Sequence, residues 1–229
     1  MADEQTAGRG RGGHGWHSAA GDGLYVSALV RPRLPLTLGL WLSLATGLAA
    51  QAAIAQASGL HADLRWPNDL LIGRKKCGGI LVESAATASS DEAHPAMLRY
   101  AVIGVGINVN HDAFPADLAG MATSLRIECG QVVAREAVLT GLLRGLDAEI
   151  LRLEQQSAGL ASEAGSGESL LERFGAASTW VRGMRVRVDE GGGYTGQTCG
   201  LDERGFLLVR DDAGGLRTVL SGGVRPEAG

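Results

Sequence analysis

The chain has 229 residues, of which 45% are hydrophobic, and its formal net charge at pH 7 is −4. This length and apolar content are enough for one full hydrophobic core and a small second domain. The net negative charge argues against a general nucleic-acid binder, whose domain is normally basic. Cys77, Cys129 and Cys199 are odd in number and contain no C-x-x-C pair, so they predict neither a disulfide framework nor a zinc site. They indicate a reducing compartment, and we expect a cytoplasmic protein.

A glycine- and arginine-rich segment, Gly-Arg-Gly-Arg-Gly-Gly-His-Gly-Trp, occupies residues 8–16. Its glycines let the backbone approach an oxyanion closely, and the guanidinium groups of Arg9 and Arg11 are suited to phosphate. A disordered basic tail is the alternative interpretation of such a composition. A strand-like run at residues 23–30 follows the segment, so the glycines lie between apolar stretches. We therefore predict a loop that holds an anion such as an acyl phosphate.

An uncharged stretch at residues 36–55 meets the length criterion for a membrane span. Ala and Gly dominate it, Ser43, Thr46 and Gln51 interrupt it, and Pro35 and Gly59 flank it as helix boundaries often are. We therefore predict a buried helix lying on a sheet, and no membrane partner. The polar N-terminus lacks the apolar region of a secretory signal.

The remaining elements follow in chain order. Residues 98–110 predict a central strand that ends in Gly-Ile-Asn, with Asn108 at the strand end. Residues 134–153 predict an amphipathic helix whose apolar face carries Val138, Leu139, Leu142, Leu146, Ile150 and Leu153, with Arg135, Arg144, Glu149 and Arg152 elsewhere. Residues 155–169 have the composition of a linker, and a short helix is predicted at 170–180. Short segments at 184–188, 194–200, 206–210 and 216–220 alternate with Gly- and Asp-rich turns, which predicts four or five strands in a small β-barrel.

Three further motifs are Arg-Trp-Pro-Asn-Asp at 65–69, Lys-Cys-Gly-Gly-Ile-Leu-Val-Glu at 76–83 and Gly-Val-Gly-Ile-Asn at 104–108. Together with the glycine/arginine loop they stand in the order, and at about the spacing, found in biotin protein ligases, and the chain resembles that family over nearly its whole length. The resemblance implies an α+β fold of the class II aminoacyl-tRNA synthetase/biotin ligase type. Residues 1–178 would form a mixed β-sheet with helices on one face, and residues 179–229 a small SH3-like β-barrel.

The resemblance also implies an activity. Family members use ATP and Mg²⁺ to convert biotin to biotinyl-5′-AMP, and then transfer biotin to a specific lysine of the biotin carboxyl carrier protein of acetyl-CoA carboxylase. A carboxylate is a poor electrophile, so the mixed anhydride is needed before an amine can react. Alternatives are a catalytically weak biotin- or adenylate-binding remnant and a lipoate-type acyl ligase. A nucleic-acid partner ranks last, and a homodimer is compatible with the sequence.

Catalytic roles are expected for three side chains of the glycine/arginine loop and of the motif at 76–83. Arg9 and Arg11, aided by backbone N–H groups around Gly10, would neutralise charge at the α-phosphate, because preorganised donors at a developing charge are usually the largest catalytic contribution. By resemblance Lys76 is the essential lysine that bridges the biotin carboxylate and the α-phosphate, whereas Lys75 faces solvent.

Other candidate ligand-binding residues are assigned by resemblance. Gln5 would contact the ureido and carboxylate region of biotin, and Asn108 the adenine edge. Asn68 and Asp69 would contact the nucleotide on the side where magnesium binds, and would support the loop. Trp16 is interpreted as a lid that excludes water from the adenylate, with a core residue as the alternative. Gly10 and Gly78 are the remaining candidate binding residues. Glu83 would orient its neighbours, Cys77 is interpreted as a small strand residue with a reactive thiolate as the alternative, and His14 and His17 lack the partners of a metal site.

The chain departs from the family pattern in two places. Gly12 and His14 stand where members commonly carry arginine, which reduces the positive charge of the loop. The family's catalytic domain also has an upstream helix and a strand with a Ser/Thr-Asn segment that lines the biotin pocket. The chain begins almost at the loop, so we expect an N-terminally truncated ligase of the monofunctional type, without a DNA-binding domain, whose natural start is not Met1.

Overall fold

A computed structural model describes residues 1–88, 95–159, 168–221 and 223–227. The helices are α1 (Gly39–Ser58), α2 (Leu125–Cys129), α3 (Arg135–Ser157) and α4 (Leu170–Ala177). The strands are β1 (Gly23–Val30), β2 (Asp63–Arg65), β3 (Asp69–Ile72), β4 (Lys75–Ala86), β5 (Leu98–Asn108), β6 (Arg182–Val188), β7 (Tyr194–Leu201), β8 (Leu207–Asp211), β9 (Leu216–Val219) and β10 (Val224–Pro226). Single turns of 3₁₀ helix lie at Arg11–Gly13 and Leu36–Leu38.

The first sheet has the strand order β1-β5-β4-β3-β2. All of its described ladders are antiparallel, and the parallel pairing within the described residues is an isolated bridge between Lys76 and Ala122. The sheet predicted as mixed is therefore antiparallel in its ladders. The reason is the short connections: β3 and β4 are joined by a tight turn at Gly73, whose φ of 60° glycine adopts without strain.

Helix α1 lies in the hydrophobic core between the sheet and α3. The segment Leu36–Ser58 is long and apolar enough to cross a membrane, but 61% of its most apolar window is buried inside the protein. The prediction of a buried helix on a sheet is confirmed. Close packing against α3 depends on small residues, since a Cβ placed on Gly145 would lie 3.1 Å from the Cβ of Ala49.

The predicted amphipathic face of α3 is confirmed, with one correction. Val138, Leu142, Leu146 and Leu153 are buried, and Leu139 and Ile150 are partly buried against the core. Glu149, expected off this face, is only 5% exposed, because two arginines neutralise it. Helix α3 continues to Ser157 and so takes up the first residues of the predicted linker, while 160–167 lie outside the described residues.

The short helix predicted at 170–180 is present as α4, and it ends three residues earlier than expected, at Ala177. Its start is well defined: the Ser169 hydroxyl accepts from the backbone N–H of Glu172, and the Glu172 carboxylate accepts from the backbone N–H of Ser169. This reciprocal capping box satisfies two otherwise unpaired donors.

Five C-terminal strands form a second antiparallel sheet in the order β10-β6-β7-β8-β9. The predicted set of four or five short strands is confirmed, whereas no ladder joins β9 to β10 among the described residues. This sheet contacts the first part of the chain through the turn before β8, where the Trp66 indole N–H donates to the Gly205 carbonyl at 2.9 Å. The molecule is therefore an α+β arrangement of two antiparallel sheets, with the helices packed on the larger one.

Candidate functional site

A floor of glycines lies on the face of the first sheet that is turned away from α1. In the register of β4 and β5, Gly79 pairs with Gly106, and Leu81 pairs with Gly104. Ile80 points to the other side, where its Cδ1 would lie 3.9 Å from a Cβ on Gly47 of α1. Because side chains alternate along a strand, Gly79 and Leu81 face away from the helix. The glycines have no side chains over the backbone of β4 and β5 on this face, so another group can approach it closely.

Two cavities adjoin β4: the larger lies over this floor, and the smaller lies on the side of α1. One of about 290 Å³ is lined by the glycine/arginine loop, Lys76 and the glycines of β4 and β5. Another of about 210 Å³ extends to Gly39 and Ser43 at the start of α1. The two share Arg11, Asn68, Ile80 and Leu81. The two cavities therefore meet at these four residues.

The ring of Trp16 lies directly on the glycine floor. A Cβ on Gly106 would approach the indole to 2.7 Å, and one on Gly79 would approach it to 3.2 Å, so a side chain larger than hydrogen at Gly106 would displace the ring. The indole Nε1 is buried and has no hydrogen-bond partner. Trp16 thus covers part of the site while one of its donors is unsatisfied.

The glycine/arginine loop folds back on itself at the edge of the site. The Gly10 N–H donates to the His14 carbonyl at 2.7 Å, and the Trp16 N–H donates to the Gly8 carbonyl at 2.9 Å. These bonds give the loop a fixed shape rather than that of a free tail.

The two arginines of this loop occupy different environments. The Arg11 Nη1 is buried without a hydrogen-bond partner, and burial lowers the pKa of its guanidinium, against the opposing charges of Asp69 and Glu190. Arg9 is 76% exposed, and its guanidinium lies 3.9 Å from the Glu83 carboxylate. Arg11 is therefore the better placed of the two to receive a buried anion.

Lys76 lines the larger cavity, and its ammonium is held by a carboxylate. The Lys76 Nζ lies 2.5 Å from Asp69 Oδ1, and 5.4 Å from the centre of the Trp16 ring. Arg65 binds the other carboxylate oxygen, with its Nη2 2.5 Å and its Nε 3.1 Å from Asp69 Oδ2. Asp69 was expected to contact the nucleotide on the side where magnesium binds. In the structure, each of its carboxylate oxygens is bound by a cationic side chain.

Asn68 and Gln5 also line the larger cavity. The Asn68 side-chain amide donates to the Ile80 carbonyl at 3.0 Å, and its backbone carbonyl accepts from the Ile80 N–H at 2.9 Å. Gln5 Oε1 accepts a hydrogen bond from the Ser18 hydroxyl at 3.1 Å. The Asn68 amide thus also holds the backbone of β4, and the Gln5 amide holds the Ser18 side chain.

Three of the predicted binding residues, Asp69, Gly78 and Asn108, do not line either of the cavities that the described residues form. Asn108 is buried, and its side-chain amide donates to the Thr123 carbonyl at 3.0 Å. Gly78 faces Leu70, whose Cδ1 would lie 2.8 Å from a Cβ at this position. The structure brings Gln5, Arg9, Gly10, Arg11, Trp16, Asn68 and Lys76 together around one cavity. It does not bring Gly78 or Asn108 to it, and Asp69 contacts it only through Lys76.

Sequence reasoning missed two residues that line or support the site. Arg65 stands four residues before Asp69, and this spacing was the available signal. Tyr25 lines the cavity, and its hydroxyl donates to the Ala19 carbonyl at 3.1 Å and lies 3.3 Å from His111 Nε2. Burial, followed by the charge of Asp22, raises the pKa of Tyr25 to about 12, so the phenol is neutral at physiological pH.

The described residues contain no group of three or more His, Cys, Asp or Glu side chains that could hold a metal ion. Cys77, next to Lys76 in sequence, is buried, and burial raises the pKa of its thiol to about 12. Both features argue against the alternative of a reactive thiolate at Cys77. His17 packs against His111 and Phe114 instead of facing the cavity.

Comparison with known proteins identifies the family of the chain. The model of the Biotin/lipoate A/B protein ligase family matches residues 1–108. The bifunctional ligase/repressor BirA of Bacillus spizizenii is 35% identical over 93% of this chain, which spans 62% of that protein's length. The biotin--[acetyl-CoA-carboxylase] ligase of Mycobacterium tuberculosis is 34% identical over 97% of this chain and 76% of its own length.

A solved structure shows the same fold. The biotin protein ligase of Aquifex aeolicus, determined in complex with biotin and ATP, superimposes with a TM-score of 0.77 and 28% identity, covering 98% of this chain and 87% of that one. Matches of this extent in both sequence and structure establish that the chain belongs to the biotin/lipoate A/B protein ligase family, among its biotin protein ligases.

Proposed function

We propose that the chain activates biotin with ATP to biotinyl-5′-AMP and transfers biotin to a lysine of a biotin carboxyl carrier protein. The observation that carries this proposal is the pair of cations, Arg11 and Lys76, which line one cavity over a glycine floor, with the Arg11 Nη1 buried and unpaired. A buried donor without a partner is costly, and an anionic ligand would satisfy it. The mycobacterial relative is named a biotin--[acetyl-CoA-carboxylase] ligase, which favours that carrier protein.

In the first step a carboxylate oxygen of biotin attacks the α-phosphorus of ATP, and pyrophosphate leaves. The ammonium of Lys76 would contact the attacking and the phosphoryl oxygens, and Arg11 would stabilise the charge that develops at phosphorus. In the second step the amine of the carrier lysine attacks the carbonyl carbon of the anhydride, AMP leaves, and the amine loses a proton. Trp16 and the loop that carries it would keep water from the adenylate between the two steps.

Mg²⁺ is part of the proposal as a companion of the nucleotide. Magnesium in such enzymes is usually held by substrate phosphates and one or two carboxylates. Both oxygens of Asp69 are already engaged by Lys76 and Arg65. We infer that the ion arrives bound to ATP, and that it would supply charge neutralisation at the phosphates.

Other parts of the proposal concern the whole molecule. We assign residues 1–178 to the catalytic domain and residues 179–229 to an SH3-like module, and we place the protein in the cytoplasm. We also propose that it binds no nucleic acid and can form a homodimer. Retention on a polyanion column at moderate salt would contradict the former, and sedimentation with and without ligands measures the latter.

The test is transfer of labelled biotin to a purified carrier domain in the presence of ATP and magnesium. We expect transfer by the parent chain, loss of at least a hundredfold in Lys76→Ala, and near-parent activity in Lys75→Ala, since Lys75 is exposed at the start of β4. Transfer of lipoate in place of biotin would support the lipoate-type alternative. Biotin binding without pyrophosphate release would identify a remnant.

A further inference from the structure

One carboxylate links Lys76 to a second cation that lies outside the cavities. The side chain of Asp69 is only 14% exposed, and each of its two oxygens binds a different cation. Lys76 contacts Oδ1, and Arg65 contacts Oδ2 with two nitrogens. Arg65 does not line either cavity, so any effect on a ligand must pass through Asp69.

Arg65 is itself held in place from outside the sheet. Its Cζ lies 5.4 Å from the centre of the Trp180 ring, which is almost fully buried just before β6. A guanidinium stacked on an aromatic face is attracted to the ring and keeps its planar donors oriented. The contact therefore fixes the guanidinium that holds Asp69.

Sharing the carboxylate changes what Lys76 can do. An ammonium has three donors, and a carboxylate devoted to Lys76 alone would hold them more firmly and would compete with an incoming anion. With Arg65 on Oδ2, part of the Asp69 charge is already balanced. Lys76 is then tethered in place while its remaining donors stay available.

We propose that Arg65 is a positioning residue for Lys76: it takes one oxygen of Asp69, so that Lys76 is held by the other oxygen and can bind the oxygens of an anionic ligand. This inference rests on the proposed function for its kinetic consequences. The part of the inference that Arg65 acts on Lys76 through Asp69 does not depend on that function.

A double-mutant cycle tests the kinetic consequence. Biotin-dependent pyrophosphate release is measured for the parent, Arg65→Gln, Asp69→Asn and the double variant. We expect Arg65→Gln to raise KM for ATP about tenfold with a smaller change in kcat, but to change KM less than twofold when Asp69 is already Asn. Arg65→Lys keeps the positive charge but not the two-nitrogen contact of the guanidinium, and we expect its KM for ATP to lie between those of the parent and Arg65→Gln. Additive effects of the two substitutions would overturn the inference, and Arg74→Gln, at an exposed turn residue, is the matched control.

A second measurement does not require activity. The chain has only two lysines, Lys75 and Lys76, so acylation by an amine-reactive ester can be read by mass spectrometry with exposed Lys75 as the internal reference. We expect Arg65→Gln to slow labelling of Lys76 relative to Lys75 at least threefold. Without Arg65, the whole charge of the Asp69 carboxylate acts on the Lys76 ammonium and holds it more firmly. In the Asp69→Asn background the same change should have no effect.

Pyrophosphate release and the labelling ratio test the proposed function and the role of Arg65 separately. Absence of pyrophosphate release by the parent chain would count against the proposed function, while the labelling ratio would still decide the role of Arg65. A labelling ratio that Arg65→Gln leaves unchanged would show that Arg65 does not act on Lys76, whatever the enzyme's activity.

Discussion

At the scale of single residues, Lys76 and Cys77 are adjacent in β4 but have opposite environments. Lys76 lines the cavity, whereas Cys77 is fully buried and its thiol donates to the Leu70 carbonyl at 3.4 Å. Because burial raises the pKa of Cys77 to about 12, its thiolate fraction at pH 8 is on the order of 10⁻⁴.

We therefore predict that Cys77 resists alkylation in the folded protein at pH 8. Cys129 and Cys199 are partly exposed and should react first, which gives an internal control for the reagent. Peptide mass spectrometry after brief iodoacetamide treatment, with and without urea, measures the three sites separately. Labelling of Cys77 at the rate of Cys199 in the folded state would contradict the prediction.

The sequence was sufficient to select seven of the residues that line the larger cavity, from their residue types and from the resemblance of their motifs to the family. It was not sufficient to predict how Asp69 is used. The carboxylate could bind a metal, a ribose or a cation, and only the approach of Arg65 and Lys76 from two strands shows which. Asn108 was correctly placed at a strand end, but its side chain is turned to Thr123, which a strand pattern cannot show.

At the scale of elements, α3 and α4 are joined by a buried charge cluster centred on Glu149. Arg173 of α4 donates to both carboxylate oxygens, at 2.7 and 2.6 Å, and Arg152 donates to one of them at 2.6 Å. A helical pattern assigns a glutamate to the solvent face. The sequence could not show that Arg152, one turn later in α3, and Arg173 of α4 would both neutralise Glu149. Burial alone would raise the pKa of Glu149, but the hydrogen bonds and charges of Arg173 and then Arg152 lower it.

We predict that Glu149→Ala lowers the free energy of unfolding by about 3 kcal/mol at pH 7, because Arg173 loses its partner in a mostly buried setting. Since the pKa of Glu149 is lowered on folding, its contribution is fully present above the pKa of an unfolded glutamate, about 4.3, and is lost as the pH falls from there through the folded pKa. Urea denaturation at pH 7 and below pH 4 measures this.

The matched control for Glu149 is Asp147→Ala, at an exposed position in the same helix, which should change stability by no more than about 0.5 kcal/mol. A loss in Glu149→Ala that stays constant as the pH falls would mean that packing, and not charge, accounts for it.

At the scale of the whole molecule, the two sheets meet at the turn before β8. Gly205 has a φ of 88°, and a Cβ there would lie 3.0 Å from Leu44 and 3.3 Å from Trp41 of α1. The sequence predicted the strands of the second sheet and two strands of the first, at 23–30 and 98–110, but the contact between the sheets depends on one close backbone approach that no sequence pattern reports. The turn places its carbonyl against Trp66, in the same motif that supplies Asn68 to the cavity and Asp69 to Lys76. The position of the second sheet is thus connected to the cavity through a few buried groups.

Two buried tryptophans at this contact allow the hydrogen bond to be measured separately from packing. The Trp66 indole N–H donates to the buried Gly205 carbonyl at 2.9 Å, whereas the Trp41 indole N–H is buried without a partner. Both residues are largely buried, at 3% and 7% exposure. A change to phenylalanine removes a similar volume at each position, but it leaves a carbonyl without its donor only at Trp66. We predict that Trp66→Phe lowers the free energy of unfolding by about 1–2 kcal/mol more than Trp41→Phe does, and increases proteolytic cleavage before β6. Equal losses in urea denaturation would show that the indole–carbonyl bond contributes nothing to holding the C-terminal sheet, and that shape alone positions it.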